Sequence, residues 1–165
     1  MNLSLPLHLS IHIFFSLCAG LIVWRIWKKP LTAFTGGILG GFWVDLDHFI
    51  DYFLAFGFDW SWFYFKNAFQ VLKSGKIYVL FHGWEFVVIL VLLVFLFKNK
   101  YAKTIFLSLA LGLFFHLWTD VVVDEMAIKS YSIIYRIEHN FDNKAISSQE
   151  NYEKYLYYRV QAGFE

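Results

Sequence analysis

Four stretches of the chain are long and apolar enough to form helices that cross a lipid bilayer, which requires about 20 mostly apolar residues. They comprise 7–27, 32–55, 78–97 and 104–123. Short connections join the first stretch to the second and the third to the fourth, as in antiparallel neighbours. The predicted fold class is therefore all-α: an integral membrane four-helix antiparallel bundle that occupies residues 1–125.

The composition agrees with a membrane protein rather than a soluble domain. Hydrophobic residues make up 59% of the 165 residues, which leaves too little polar surface to cover a soluble core of this size. The formal net charge of +1 gives no sign of a nucleic-acid partner. The remaining segment, 126–165, is rich in aromatic residues and mixed in charge, and we expect it to form interfacial helices beside the bundle.

The two short connections also predict an orientation. "KKP" at 28–30 and "KNKYAK" at 98–103 are basic and contain no acidic residue. The positive-inside rule places such connections in the cytoplasm. The protein is therefore expected to be an integral membrane protein with membrane lipid as its surroundings.

The second stretch contains more ionisable side chains than a lipid-facing helix tolerates. Its segment "GGFWVDLDHFIDYF" carries three aspartates and one histidine within seven positions. On a helical wheel these polar residues share one half with four glycines, and the opposite half is entirely apolar. The overlapping G-x-x-x-G spacings of Gly36/Gly40 and Gly37/Gly41 predict that a neighbouring helix approaches closely on this inner face.

The other three stretches repeat this pattern. Histidine occurs in each, and Glu85 and Asp120 add carboxylates one turn from His82 and His116. Counted from the basic ends, these groups lie at a common depth of roughly 20–27 Å, near the non-cytoplasmic face. The sequence therefore predicts one site, whose candidate metal ligands are His12, Asp47, His48, Asp51, His82, Glu85, His116 and Asp120.

A divalent cation would explain why carboxylates are placed where burial is costly. Isolated charges inside a membrane are expensive, whereas imidazole and carboxylate groups are ligands for zinc, manganese or iron. We expect one or two ions, with zinc as the first candidate. Either His8 or His12 could be the ligand from the first helix. On an ideal wheel Asp45 points roughly 160° away from Asp47, so Asp45 is expected to act as catalytic base or to support a ligand.

The order of these motifs resembles the bacterial YdjM-like family of inner-membrane metal-dependent hydrolases. The resemblance rests on His12 or His8, on "DLDHFID" (45–51), on "HGWE" (82–85) and on "HLWTD" (116–120). This family is itself distantly similar to zinc-dependent phospholipase C. The resemblance implies a location in the plasma (inner) membrane of a bacterium and hydrolysis of a phosphoester, with a lipid as one candidate substrate. The third motif departs from the His-Arg-Gly stretch that other members often carry.

Three functions therefore compete. The first is a metal-dependent hydrolase that cleaves a phosphoester or lipid ester with metal-activated water. The second is a di-iron membrane oxidoreductase, although the Glu-x-x-His pairs usual in such bundles are absent. The third is a non-catalytic scaffold that metal stabilises, which would have a closed coordination site. The sequence does not determine the oligomeric state.

Overall fold

The computed structural model describes residues 5–164 of the chain, and this part is helical, as predicted. No β-strand occurs among the described residues, apart from an isolated bridge between Lys76 and Asp142. Two 3-10 turns, at Trp43–Leu46 and Ile128–Tyr131, interrupt the α-helices. The α-helices, numbered in chain order, are α1 (Leu5–Trp27), α2 (Pro30–Gly41), α3 (Asp47–Phe56), α4 (Trp62–Lys66), α5 (Phe69–Ser74), α6 (Trp84–Leu96), α7 (Lys100–Val123), α8 (Ile133–Glu138), α9 (Asn143–Ile146) and α10 (Gln149–Gln161).

These elements form two compact units. Among the described residues, the first unit consists of 5–45 and Phe81–Glu125, and the second of Leu46–Leu80 and 126–164. This division differs from the predicted boundary at residue 125, because residues 46–80 belong with the C-terminal segment. The first unit therefore contains α1, α2, α6 and α7, and the second contains the other six helices described above.

In the first unit, α7 packs against α1, α2 and α6, and α1 also packs against α2. Glycines allow α2 and α7 to approach until their backbones touch. A Cβ atom added at Gly112 would lie 2.6 Å from the carbonyl oxygen of Gly37 and 2.9 Å from the backbone nitrogen of Gly41. The G-x-x-x-G spacing of α2 thus serves close helix packing, as the sequence predicts.

Two of the described helices, α1 and α7, are long and apolar enough to cross a membrane, judged by length and composition. They contain 23 and 24 residues, and correspond to the first and fourth predicted spans. The second and third predicted spans are not continuous helices of that length. The helix α6 has only 13 residues, although it is apolar apart from Glu85 in its first turn.

The second predicted span, 32–55, breaks after Gly41. There α2 ends, and the 3-10 turn Trp43–Leu46 precedes α3. Each helical glycine costs about 1 kcal/mol relative to alanine, so the glycine-rich end of α2 is a weak helix former. The break frees the carbonyl oxygen of Gly41, which instead accepts a hydrogen bond from Nδ1 of His116 at 3.0 Å.

The third predicted span, 78–97, is helical only from Trp84 onward. Gly83, the residue before α6, has extended backbone angles, and Val79 has a positive φ of 31°. The backbone N–H groups of Tyr78 and Val79 donate to the carboxylate of Asp51, at 3.1 and 3.0 Å. These tertiary hydrogen bonds replace those that a helix would have provided at this point.

Candidate metal centre

Six side chains of the first unit converge at one place. His8 and His12 lie one turn apart on α1, and His116 and Asp120 lie one turn apart on α7. Asp45 comes from the 3-10 turn after α2, and His82 lies two residues before α6. The four contributing segments are distant in sequence, so the cluster exists only because the helices pack together.

On the α1 side, two imidazoles face one oxygen of Asp120. The Oδ1 atom of Asp120 lies 3.1 Å from Nε2 of His12 and 3.4 Å from Nε2 of His8. The two Nε2 atoms are themselves 2.6 Å apart. Two imidazole lone pairs repel each other at this separation, so a proton or another cation must lie between them. Together the three side chains form a group that could hold a metal ion.

A second group shares Asp120 through its other oxygen. The Oδ2 atom of Asp120 lies 3.1 Å from Nε2 of His116 and 3.9 Å from Nε2 of His82. These two nitrogens are 2.9 Å apart. Oδ1 of Asp45 lies 3.4 Å from each of them. The carboxylate of Asp120 therefore joins two sets of donors, one through each oxygen.

The separations between nitrogen and oxygen match those of ligands around one small cation. Zinc binds imidazole nitrogen at about 2.0–2.1 Å and carboxylate oxygen at about 2.0–2.2 Å. Ligands of a tetrahedral ion are then about 3.4 Å apart by simple geometry. Five of the six nitrogen-to-oxygen distances of the cluster fall between 3.1 and 3.4 Å, and the sixth, between His82 and Asp120, is 3.9 Å.

The cluster is buried, which makes its charge balance important. His12, His82 and His116 are at most 2% exposed, and Asp120 is 4% exposed. Every ion-pair partner of Asp120 among the described residues is a histidine. Its buried Oδ1 atom accepts no hydrogen bond of normal geometry within residues 5–164. Such a carboxylate is costly unless a cation compensates it.

The ring of His116 is oriented by its other nitrogen. Because the carbonyl oxygen of Gly41 can only accept, Nδ1 of His116 must donate the hydrogen bond between them. In the neutral ring, Nε2 then keeps its lone pair and directs it into the cluster. Metal-binding histidines are commonly held in this way by a backbone carbonyl.

Of the ligands proposed from sequence, the first unit brings together His12, His82, His116 and Asp120. His8 and Asp45 join them, so both histidines of α1 contribute, and Asp45 lies among the donors. Asp45 does so because it belongs to a 3-10 turn, to which a helical wheel does not apply. Glu85 lies in the first turn of α6 and belongs to none of the donor groups of the described first unit.

The other three proposed ligands, Asp47, His48 and Asp51, lie at the start of α3 in the second unit. Asp47 and Asp51 are buried and His48 is half-buried. Asp51 has a structural role there, since its two oxygens accept from the backbone of Tyr78 and Val79.

Arg136 is a buried charge that sequence reasoning did not identify. Its side chain is 0% exposed, and Nη1 donates to the carbonyl oxygens of Tyr78 and Val79 at 2.8 Å each. The same two residues thus bind Asp51 through their N–H groups and Arg136 through their carbonyls. We call Asp51, Tyr78, Val79 and Arg136 the backbone clamp. An arginine in an aromatic, mixed-charge segment carries no signal that would reveal this role.

Comparison of the chain with protein-family models, with curated proteins and with solved structures finds no match. The resemblance to the YdjM-like hydrolases consequently rests on the sequence motifs alone. The firm result is that buried histidine and aspartate groups of the first unit could hold a metal ion.

Proposed function

We propose that the protein is a membrane-bound, metal-dependent hydrolase of a phosphoester or lipid ester. The observation that carries this proposal is the convergence of four imidazole Nε2 atoms and two carboxylates in a buried site. The two donor groups joined by Asp120 support one or two ions, and zinc is the metal that suits this set best. Such an ion would supply a Lewis acid and activate water for attack on an ester.

Partial exposure of two members of the cluster supports catalysis over a purely structural role. The side chains of His8 and Asp45 are 22% and 21% exposed, whereas those of the other four members are at most 6% exposed. Structural zinc sites are closed, and catalytic sites keep a position open to water or substrate. A substrate ester would therefore reach the cluster beside one of these two residues, while the buried members hold the geometry of the cluster.

The balance of ligand types favours a zinc hydrolase over a di-iron oxidoreductase. Di-iron bundles are rich in carboxylates, with a glutamate from each of four helices and two histidines. In the first-unit cluster four histidines accompany two aspartates. An iron protein would show visible absorption after purification in air, whereas a zinc protein would be colourless.

The first experiment is elemental analysis of the detergent-purified protein beside two histidine variants. We expect one or two equivalents of zinc in the wild type and a loss of metal in His116→Ala. His139→Ala is the matched control, because His139 lies in the second unit and contacts the backbone of Tyr135. A metal-free wild type whose stability does not respond to a chelator would contradict the proposal.

The same preparations then test catalysis on phosphomonoesters, phosphodiesters and acyl esters. Hydrolysis should disappear with a chelator and return with zinc. The Asp45→Asn variant separates two roles for that residue. Retained metal with lost turnover indicates a base, as the sequence predicts, whereas lost metal indicates a ligand. A wild type that binds zinc but cleaves none of these esters would leave the stabilised scaffold as the better explanation.

A further inference from the structure

The second unit displays an exposed aromatic surface that the proposed hydrolase site does not use. It consists of residues at the end of α3, in the following loop and at the start of α4. Phe58 is 97% exposed, and the others are between 39% and 60% exposed. The members of this aromatic surface are Phe53, Leu54, Phe58, Trp60, Trp62, Phe63 and Tyr64.

Hydrogen bonds and ring packing hold this surface in a defined conformation. The hydroxyl of Tyr52 donates to the carbonyl oxygen of Asp59 at 2.8 Å and accepts from the N–H of Ser61 at 2.7 Å. Tyr52 is itself completely buried, so it anchors the loop between α3 and α4 from beneath. The ring of Trp60 packs on those of Tyr52 and Phe49, at centroid distances of 4.9 and 5.6 Å. The loop therefore holds its apolar rings outward although water is a poor solvent for them.

Basic side chains flank the aromatic rings. Lys66 lies over the ring of Phe63 and Lys73 over that of Phe56, with the ammonium nitrogens 5.8 and 4.4 Å from the ring centroids. Both lysines are exposed, and Asp59 is the exposed acid of the same stretch, 52–73. A surface of tryptophan, tyrosine and phenylalanine with a basic margin matches the lipid–water interface, where aromatic rings sit at head-group level and lysines attract anionic lipids.

We propose that this aromatic surface inserts into the head-group region of a bilayer that contains anionic phospholipid. The charge of its margin favours lipid as the occupant, and the same chain contains two helices long and apolar enough to cross a membrane. The inference is independent of the hydrolase proposal, because no residue of the metal cluster takes part. It assigns a lipid-binding role to residues that neither metal binding nor hydrolysis requires.

Spin labelling of the full chain tests the surface directly. A nitroxide is attached at Phe58→Cys in a Cys18→Ser background, and the protein is reconstituted in bilayers of phosphatidylcholine with phosphatidylglycerol. The control label is placed at Gln161→Cys, an exposed position at the end of α10. We expect the label at 58 to collide more often with oxygen, which partitions into lipid, and the label at 161 to collide more often with a water-soluble nickel chelate.

The basic margin is tested with a second pair of variants. Lys66→Gln with Lys73→Gln should make the label at 58 shallower in bilayers containing phosphatidylglycerol, whereas Lys144→Gln with Lys154→Gln should not. Equal access of nickel to positions 58 and 161 would overturn the proposal. So would dipolar broadening between two labels at 58 that are shielded from both oxygen and nickel, because a second copy of the chain would then cover the surface.

Discussion

Buried charge is handled in two different ways in the two units. In the second unit, the clamp provides each charged group with backbone partners of opposite polarity: Asp51 accepts from two N–H groups, and Arg136 donates to two carbonyls. In the first unit, Asp120 faces only imidazoles. Backbone dipoles already compensate the charges of the clamp, which indicates a structural role. A buried carboxylate that faces only imidazoles still needs a cation, which indicates metal binding.

The largest effect is expected where the backbone clamp is broken. Arg136→Ala removes the donor from the carbonyl oxygens of Tyr78 and Val79, and each group left unsatisfied costs about 1–3 kcal/mol. Chemical denaturation of the detergent-purified protein should show a correspondingly lower free energy of unfolding. Arg25→Ala, at an exposed position of α1, is the matched control and should change it little. Equal stability of the two variants would show that Arg136 does not hold the clamp.

The Asp120→Asn variant should have the next largest effect, and on metal binding rather than on folding. Loss of residues that merely orient ligands weakens metal binding 10–100-fold, so loss of the shared ligand should weaken it at least about 100-fold. Without metal, the same substitution removes a buried charge, and the variant should be no less stable than the metal-free wild type. Zinc titration and denaturation, each with and without chelator, measure the two effects. A stability loss that is independent of metal would make Asp120 a structural residue.

The same substitution at Asp51 should have a smaller effect. It should lower the stability of the protein and leave metal binding unchanged. In Asp51→Asn the amide nitrogen cannot accept from Tyr78 or Val79, and one unsatisfied buried donor costs about 1–3 kcal/mol. Zinc content should remain that of the wild type, because the structure gives both oxygens of Asp51 to the backbone. Loss of zinc from Asp51→Asn would support the ligand role that the sequence predicts for Asp51.

Sequence reasoning agrees best with the structure on which side chains of uninterrupted helices lie together, while their role as ligands stays a prediction. His12 on α1 and the pair His116 and Asp120 on α7 were predicted as ligands, and all three lie in the cluster. The i, i+4 spacing places residues on one face wherever the helix is continuous. Asp45 and Asp47 were treated on the same wheel, but a 3-10 turn separates α2 from α3 between positions 43 and 46. Their directions therefore could not be obtained from an ideal helix.

The sequence alone determined the helical class, the apolar character of α1 and α7, and the types of ligand available. These properties depend on composition and on local spacing. Tertiary structure decided where the second and third apolar stretches cease to be helical, and thereby which carboxylate joins which histidines. The physical reason is competition for backbone hydrogen bonds: His116 donates to the carbonyl of Gly41, and Asp51 accepts from Tyr78 and Val79. Those partners are remote in sequence, so no local sequence pattern predicts these hydrogen bonds.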